Sequence, residues 1–257
     1  MAADLTPHGM NQQTALIVVM SMVGWTAMYF LGKLLLPAFD FYRKFDPVRQ
    51  YKTRGLVPST AFIAFSCGLS VYIINSDKEL QGMRLNGATE LSSFIISVAT
   101  GYFIYDSLVI GMHLKHDGVA YLVHGILCLF TYGIAAVYHV YHYYGPVFLL
   151  FEFTTLFVNC RWLLYELNMK DSGMYFWNGF CLLCAWFFVR IVFGFSSSYF
   201  FWQDTAEAYN NETVAVPIMG WYCFSNISLN CLNVMWFIQI VKGALRAVGG
   251  GKKAAKE

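Results

Sequence analysis

Apolar stretches of roughly twenty residues or more recur along this chain, at 14–36, 56–75, 91–112, 118–137, 146–165, 174–198 and 217–243. A helix rising 1.5 Å per residue needs about twenty residues to cross a hydrocarbon core of about 30 Å, so each stretch is long enough to span a bilayer. No water is present there to satisfy backbone N–H and C=O groups. Each stretch must therefore close its own hydrogen bonds as a helix, and no ten-residue alternation of the kind a barrel strand needs recurs. The composition agrees: 58% of the 257 residues are hydrophobic and only 12% charged, with a mean hydropathy of +0.50. Those values exclude an ordinary soluble domain. A net charge of +2 without a long basic run excludes a nucleic-acid partner. The expected fold class is all-α integral membrane, with about seven transmembrane helices. Between the fourth and fifth, the short link "YHVYHYYGP" from Tyr138 to Pro146 could instead be a re-entrant turn.

The basic residues orient these segments. Lys33, Arg43, Lys44, Arg49, Lys52, Arg54, Lys115, Lys170, Lys242, Arg246, Lys252, Lys253 and Lys256 fall on one side, and only Lys78 and Arg84 on the other. The positive-inside rule then puts the N-terminus in the lumen and the C-terminus in the cytosol. No Lys or Arg precedes the first segment, which is too long for a signal-peptide core, so it reads as an uncleaved helix. Asn211-Glu212-Thr213 falls in a lumenal loop, where Asn211 is a glycosylation candidate, whereas Asn226-Ile227-Ser228 is buried in the seventh segment. All of the cysteines lie in spans, which favours packing over disulfides, and the same holds for the Cys181/Cys184 pair. Three regions follow: 1–49, a lumenal N-terminus, first helix and basic link; 50–245, the main helical domain; and 246–257, a flexible basic tail. Lys252 and Lys253 sit too far from the end for a dilysine retrieval signal, and they suit attraction to an anionic leaflet.

Polar residues inside the spans carry the functional question. The stretch "LLFEFTTLFVNCRWLL" holds Glu152, Asn159 and Arg161. A charge at the bilayer centre costs on the order of 3 kcal/mol, so such groups should face protein or a cavity. At about 100° per residue, Glu152 and Asn159 share a face while Arg161 points the opposite way. Matching depths across segments suggests a cytosol-side cluster of Asp106, His124 and Arg161, and a deeper pair of Glu152 with Arg190. Asn226, Asn230 and Asn233 form an i, i+4, i+7 stripe expected to face the same interior. Two readings stay open: hydrogen bonds that only join helices, at roughly 1 kcal/mol each, or the lining of a functional cavity.

Other membrane chemistries fit less well. His113-x-x-His116 and His139-x-x-His142 lie on opposite sides of the bilayer, so no metal site is expected from them. A retinal Schiff base needs a lysine in the middle of the last helix, but the first lysine there is Lys242 at its cytosolic end. A transporter would be expected to show paired repeats or broken helices in matching halves, and neither is visible.

The block "GYFIYDSLVIGMHLKHDGVAYLVHGILCLFTYGI" followed by "FLLFEFTTLFVNCRWLL" resembles the TLC domain, the membrane domain shared with ceramide synthases, and within it the small TLC domain-containing proteins of the group-four type. The likeness covers approximately 50–245. It implies a six-helix barrel-like bundle around a cavity, preceded by one extra helix, in the endoplasmic reticulum. It also implies membrane lipids as partners and a role in lipid binding and membrane lipid homeostasis, with a cavity lined by Glu152, Asn159, Arg161, Arg190, Asn226, Asn230 and Asn233. Enlarging a wall residue such as Phe157 to Trp would then expel the lipid. The alternative it implies is a sphingoid-base N-acyltransferase that takes acyl-CoA as co-substrate and no other cofactor. There His124 would be the general base and Asp106 would orient its imidazole. Ceramide synthases carry two adjacent histidines at that point, where this chain has His124 and Gly125. A transport or cargo-binding role is a third reading.

Overall fold

The structure, a computed structural model, describes residues 12–254, with side chains described through 246. The N-terminal stretch 1–11 and the tail side chains read from sequence lie outside the described residues. Among the described residues, seven helices are long and apolar enough to cross a membrane. They are α1 (Gln12–Ala38), α2 (Pro47–Ser76), α3 (Glu90–Met112), α4 (Val119–Tyr138), α5 (Tyr144–Glu166), α6 (Gly173–Asn210) and α7 (Val216–Arg246), the last continuing as helix to Ala254. The molecule is thus an all-α, multi-pass membrane protein.

Local chemistry sets where the helices begin. Asp46 caps α2, its carboxylate accepting from Arg49 N with Pro47 in the first turn. Thr89 and Ser92 form a reciprocal capping box at α3, satisfying two N–H groups that would otherwise be stranded at its start.

The most buried helix is α3, and small residues let its neighbours approach. A Cβ at Gly101 would lie 2.6 Å from the Val18 carbonyl oxygen, so α1 sits directly on α3 there. Ser21 Oγ, on the same face of α1, donates to Val98 O at 2.8 Å and accepts from Trp25 Nε1 at 2.9 Å. On the other side of α3, a Cβ at Gly125 would lie 2.8 Å from Ser107 Oγ, which brings α4 equally close. Stacked Phe62 and Tyr102, 3.7 Å between centroids, fill the space between α2 and α3, with Trp25 edge-on to both.

The link between α4 and α5 is a tight reversal. His139 and Tyr141 adopt left-handed backbone angles, and Tyr141 N donates to Leu85 O at 2.8 Å. His142 is fully buried in it, its ring nitrogens meeting Ser92 Oγ at 3.0 Å and Ala135 O at 3.0 Å. Burial pushes its pKa down to about 4, beyond what the Ala135 contact restores, with His139 adding to the depression.

Two spans leave α-geometry at their interior. In α5 the turn Leu150–Glu152 is 3₁₀, and in α6 the run Trp186–Phe193 is a π-helix. Each departure carries a charged residue, Glu152 in one and Arg190 in the other, and such departures recur at functional sites.

Candidate functional site

A partly open cavity of about 830 Å³, counting the space at its mouth, lies between α3, α4, α5, α6 and α7. Toward the C-terminal end of α4 its wall is aromatic and apolar, built from Ala135, Tyr141, Tyr144, Phe148, Phe201 and Tyr222. Toward the N-terminal end of α4 sit His124, Glu152, Arg190 and Asn233, with Asn226 and Asn230 further along α7.

Arg190 organises the polar end. Its Nε donates to Thr154 Oγ1 at 2.7 Å, Nη1 to Asn233 Oδ1 at 2.8 Å and Nη2 to Thr155 Oγ1 at 3.4 Å. One turn back on the π-helix, Trp186 lies under the guanidinium at 4.5 Å and donates Nε1 to Asn233 O at 3.0 Å. Arg190 is only 4% exposed, which is sustainable because its guanidinium nitrogens are hydrogen-bonded and its planar face lies over the Trp186 ring. Thr155 in turn donates to Glu152 Oε2 at 3.2 Å. Glu152 and Arg190 are therefore joined through a threonine hydroxyl, where a direct pair was expected.

The asparagine stripe on α7 forms a second network. Trp202 Nε1 donates to Asn226 Oδ1 at 3.1 Å, Asn226 Nδ2 donates to Ser198 Oγ at 3.1 Å, and Asn230 Nδ2 donates to Ser198 Oγ at 2.9 Å and to Asn226 Oδ1 at 3.2 Å. Thus α6 and α7 are tied by one serine and two amides.

Three sequence expectations are corrected. The cluster of Asp106, His124 and Arg161 does not form. Arg161 points away from the cavity, its Nη1 donating to Tyr175 O at 3.3 Å and its guanidinium 4.0 Å from the Tyr175 ring centroid. Gly179 makes room for it, since a Cβ there would lie 2.5 Å from Nη1. Asn159 shares Glu152's face but sits seven residues farther along, about 10 Å by helix rise, past the polar end of the cavity. There it donates to Ser59 Oγ at 3.0 Å and Thr60 Oγ1 at 3.4 Å, joining α5 to α2. Phe157 is likewise not a wall residue: its ring packs edge-on against Phe153 and its carbonyl accepts from Asn178 Nδ2 at 3.0 Å.

His124 and Asp106 are also apart. The Asp106 carboxylate lies 3.7 Å from where a Cβ on Gly125 would stand, and Gly125 is rotated about 100° from His124 on α4. His124 instead faces Trp236, 5.7 Å away edge-to-face, with Nε2 3.7 Å from Cys128 Sγ. No hydrogen bond joins the two residues among the described contacts.

Thr154, Thr155, Trp186 and Ser198 were missed by sequence reasoning. The signal was present for three of them: the threonines follow Glu152 by two and three residues, and Trp186 precedes Arg190 by one turn. Asn211 is exposed at the C-terminal end of α6, whereas Asn226 is engaged inside α7.

The TLC domain family model matches residues 56–242. The chain is 31% identical over 173 residues to an uncharacterized TLC domain-containing protein of Schizosaccharomyces pombe, covering 66% of this chain and 58% of that one. It is 29% identical over 227 residues to TLC domain-containing protein 4 of Homo sapiens, covering 86% of this chain and 83% of the relative. To TLC domain-containing protein 4 A of Dictyostelium discoideum it is 25% identical over 240 residues, 91% of this chain and 90% of the relative. No solved structure matches the chain.

Proposed function

This chain belongs to the TLC domain family, and on that premise we propose that it binds an acyl-chain lipid in the cavity and acts in membrane lipid homeostasis. The observation that carries this reading is the division of a cavity of about 830 Å³ into an aromatic, apolar length and a compact polar end around Arg190. An apolar enclosure with a few convergent polar groups suits a tail and a head. The proposed setting is the endoplasmic reticulum, with the basic loops in the cytosol.

The test is mass spectrometry of lipid co-purified with the wild-type protein and with Leu229→Trp, which puts bulk into the cavity wall. Lipid retained by the wild type and lost from the variant is expected. A wild-type protein that carries no lipid, while still folded, would refute the proposal.

Acyl transfer is the second reading, supported by one observation, the placement of His124 on the cavity wall. In that reading His124 is the base without Asp106, and purified protein given acyl-CoA and a long-chain base turns over unless His124 is replaced by Ala. Activity that survives His124→Ala would remove it.

A further inference from the structure

Two side-chain amides among the residues lining the cavity, Asn230 and Asn233, have free ends of opposite character whose identities are fixed by their neighbours. An indole N–H can only donate, so Trp202 Nε1 fixes the atom it meets as Asn226 Oδ1. That oxygen then takes the Asn230 amide as a donor, which fixes Asn230 Nδ2 and leaves Asn230 Oδ1 as the free end. The guanidinium likewise only donates, so Arg190 fixes Asn233 Oδ1 and leaves Asn233 Nδ2 free. Both Asn230 Oδ1 and Asn233 Nδ2 are buried with no hydrogen-bond partner among the described residues, as is Ser225 Oγ elsewhere on α7. All three residues line the cavity. Asn230 and Asn233 are three apart on one helix, which places their side chains about 5–6 Å from each other.

Burying such groups unpaired is costly, so a ligand that completes them gains what water would otherwise supply. Asn230 Oδ1 requires a donor and Asn233 Nδ2 requires an acceptor. The charges in the cavity already balance, with Arg190 and Glu152 joined through Thr155. An added anion would face Glu152 and an added cation would face Arg190. A carboxylate would also leave Asn230 Oδ1 unmatched, and an ammonium would leave Asn233 Nδ2 unmatched.

We infer that the ligand is a lipid with an uncharged head group that both donates and accepts hydrogen bonds, of the monoacylglycerol or fatty-amide kind, read by Asn230 and Asn233. This rests on the lipid-binding reading of the cavity and names the head group it selects.

The test uses the full-length protein in phosphatidylcholine nanodiscs, offered 1-oleoylglycerol, oleamide, oleate or oleylamine, with binding measured by native mass spectrometry. The first two are expected to bind roughly tenfold or more tightly than the charged pair, since one well-placed hydrogen bond in a buried site is worth about that factor. Asn233→Asp keeps the acceptor for Arg190 but turns the free donor into an acceptor. It should lose roughly tenfold in affinity for both neutral probes. Asn230→Leu removes the free acceptor from the other side and should do the same. Oleate or oleylamine binding as well as the neutral probes, or neutral binding unchanged in both variants, would overturn the head-group assignment while leaving a lipid cavity standing. Binding of none of the four to the folded protein would overturn the lipid-binding reading itself, and this inference with it.

Discussion

Replacing Arg190 with Met keeps an unbranched side chain in the π-helical turn but withdraws the three guanidinium donations at the polar end of the cavity. Thr154 Oγ1, Thr155 Oγ1 and Asn233 Oδ1 each lose the partner that meets them now, and Trp186 loses the cation above its ring. Interhelical hydrogen bonds in membrane proteins average about 0.6 kcal/mol and reach about 1.7, so these three together are worth roughly 2–5 kcal/mol. Glu152, still reached by Thr155, would also lose the charge that balances it, and a buried charge left uncompensated costs roughly 3–5 kcal/mol. These contributions overlap, because Thr155 serves both residues. The expected loss is therefore about 4 kcal/mol. Equilibrium unfolding of the purified protein by SDS in mixed micelles reads it directly. Coupling is the sharper check: Asn233→Leu combined with Arg190→Met should cost at least about 1 kcal/mol less than the two single changes added, since both remove the same bond. A single change worth under about 1 kcal/mol, or strict additivity, would refute the claim that Arg190 holds α5, α6 and α7 together.

Acidification should act through His142. Its folded pKa of about 4 lies below the ordinary 6.5, so the folded state resists the proton that the unfolded chain takes up. Stability from this group is fully present above pH 6.5, falls as the pH drops toward about 4, and is constant below. The window between 6.5 and about 4 corresponds to roughly 3 kcal/mol. His142→Gln keeps a polar side chain for Ser92 and Ala135 and should flatten the profile, and a wild-type melting curve indifferent to pH between 6.5 and 4 would contradict the assignment. Gly101→Val should cost roughly 1–3 kcal/mol by forcing α1 off α3, where a Cβ would meet the Val18 carbonyl oxygen and Ser21 Cβ at 2.6 Å. Gly24→Val, with nothing within 4 Å of its added Cβ, is the matched control, and equal losses in the two SDS titrations would remove the close-approach argument.

The sequence by itself determined the helical class, the number of spans and their approximate limits. Hydropathy over about twenty residues and the need to close backbone hydrogen bonds in lipid are local properties, and they leave little choice. It also showed that the polar residues in α5, α6 and α7 had to face protein or a cavity, because a bilayer penalises the alternative. Which residue met which was decided only by tertiary structure. Angles on one helix placed Arg161 opposite Glu152, and Arg161 does face away, but they could not show that its partner would be Tyr175 on α6. The same angles placed Asn159 with Glu152, yet an axial offset of about 10 Å gives it to α2 instead. Near the C-terminal half of α3, the close pass at Gly125 sets Asp106 against one face of α4 while His124 occupies another. The meeting of Arg190 with Thr154, Thr155 and Asn233 involves a π-helical run in α6 facing a 3₁₀ turn in α5. A regular wheel describes neither turn. Partner choice depends on the rotation, depth and crossing of several helices at once, and a fraction of a turn in any of them changes the contact.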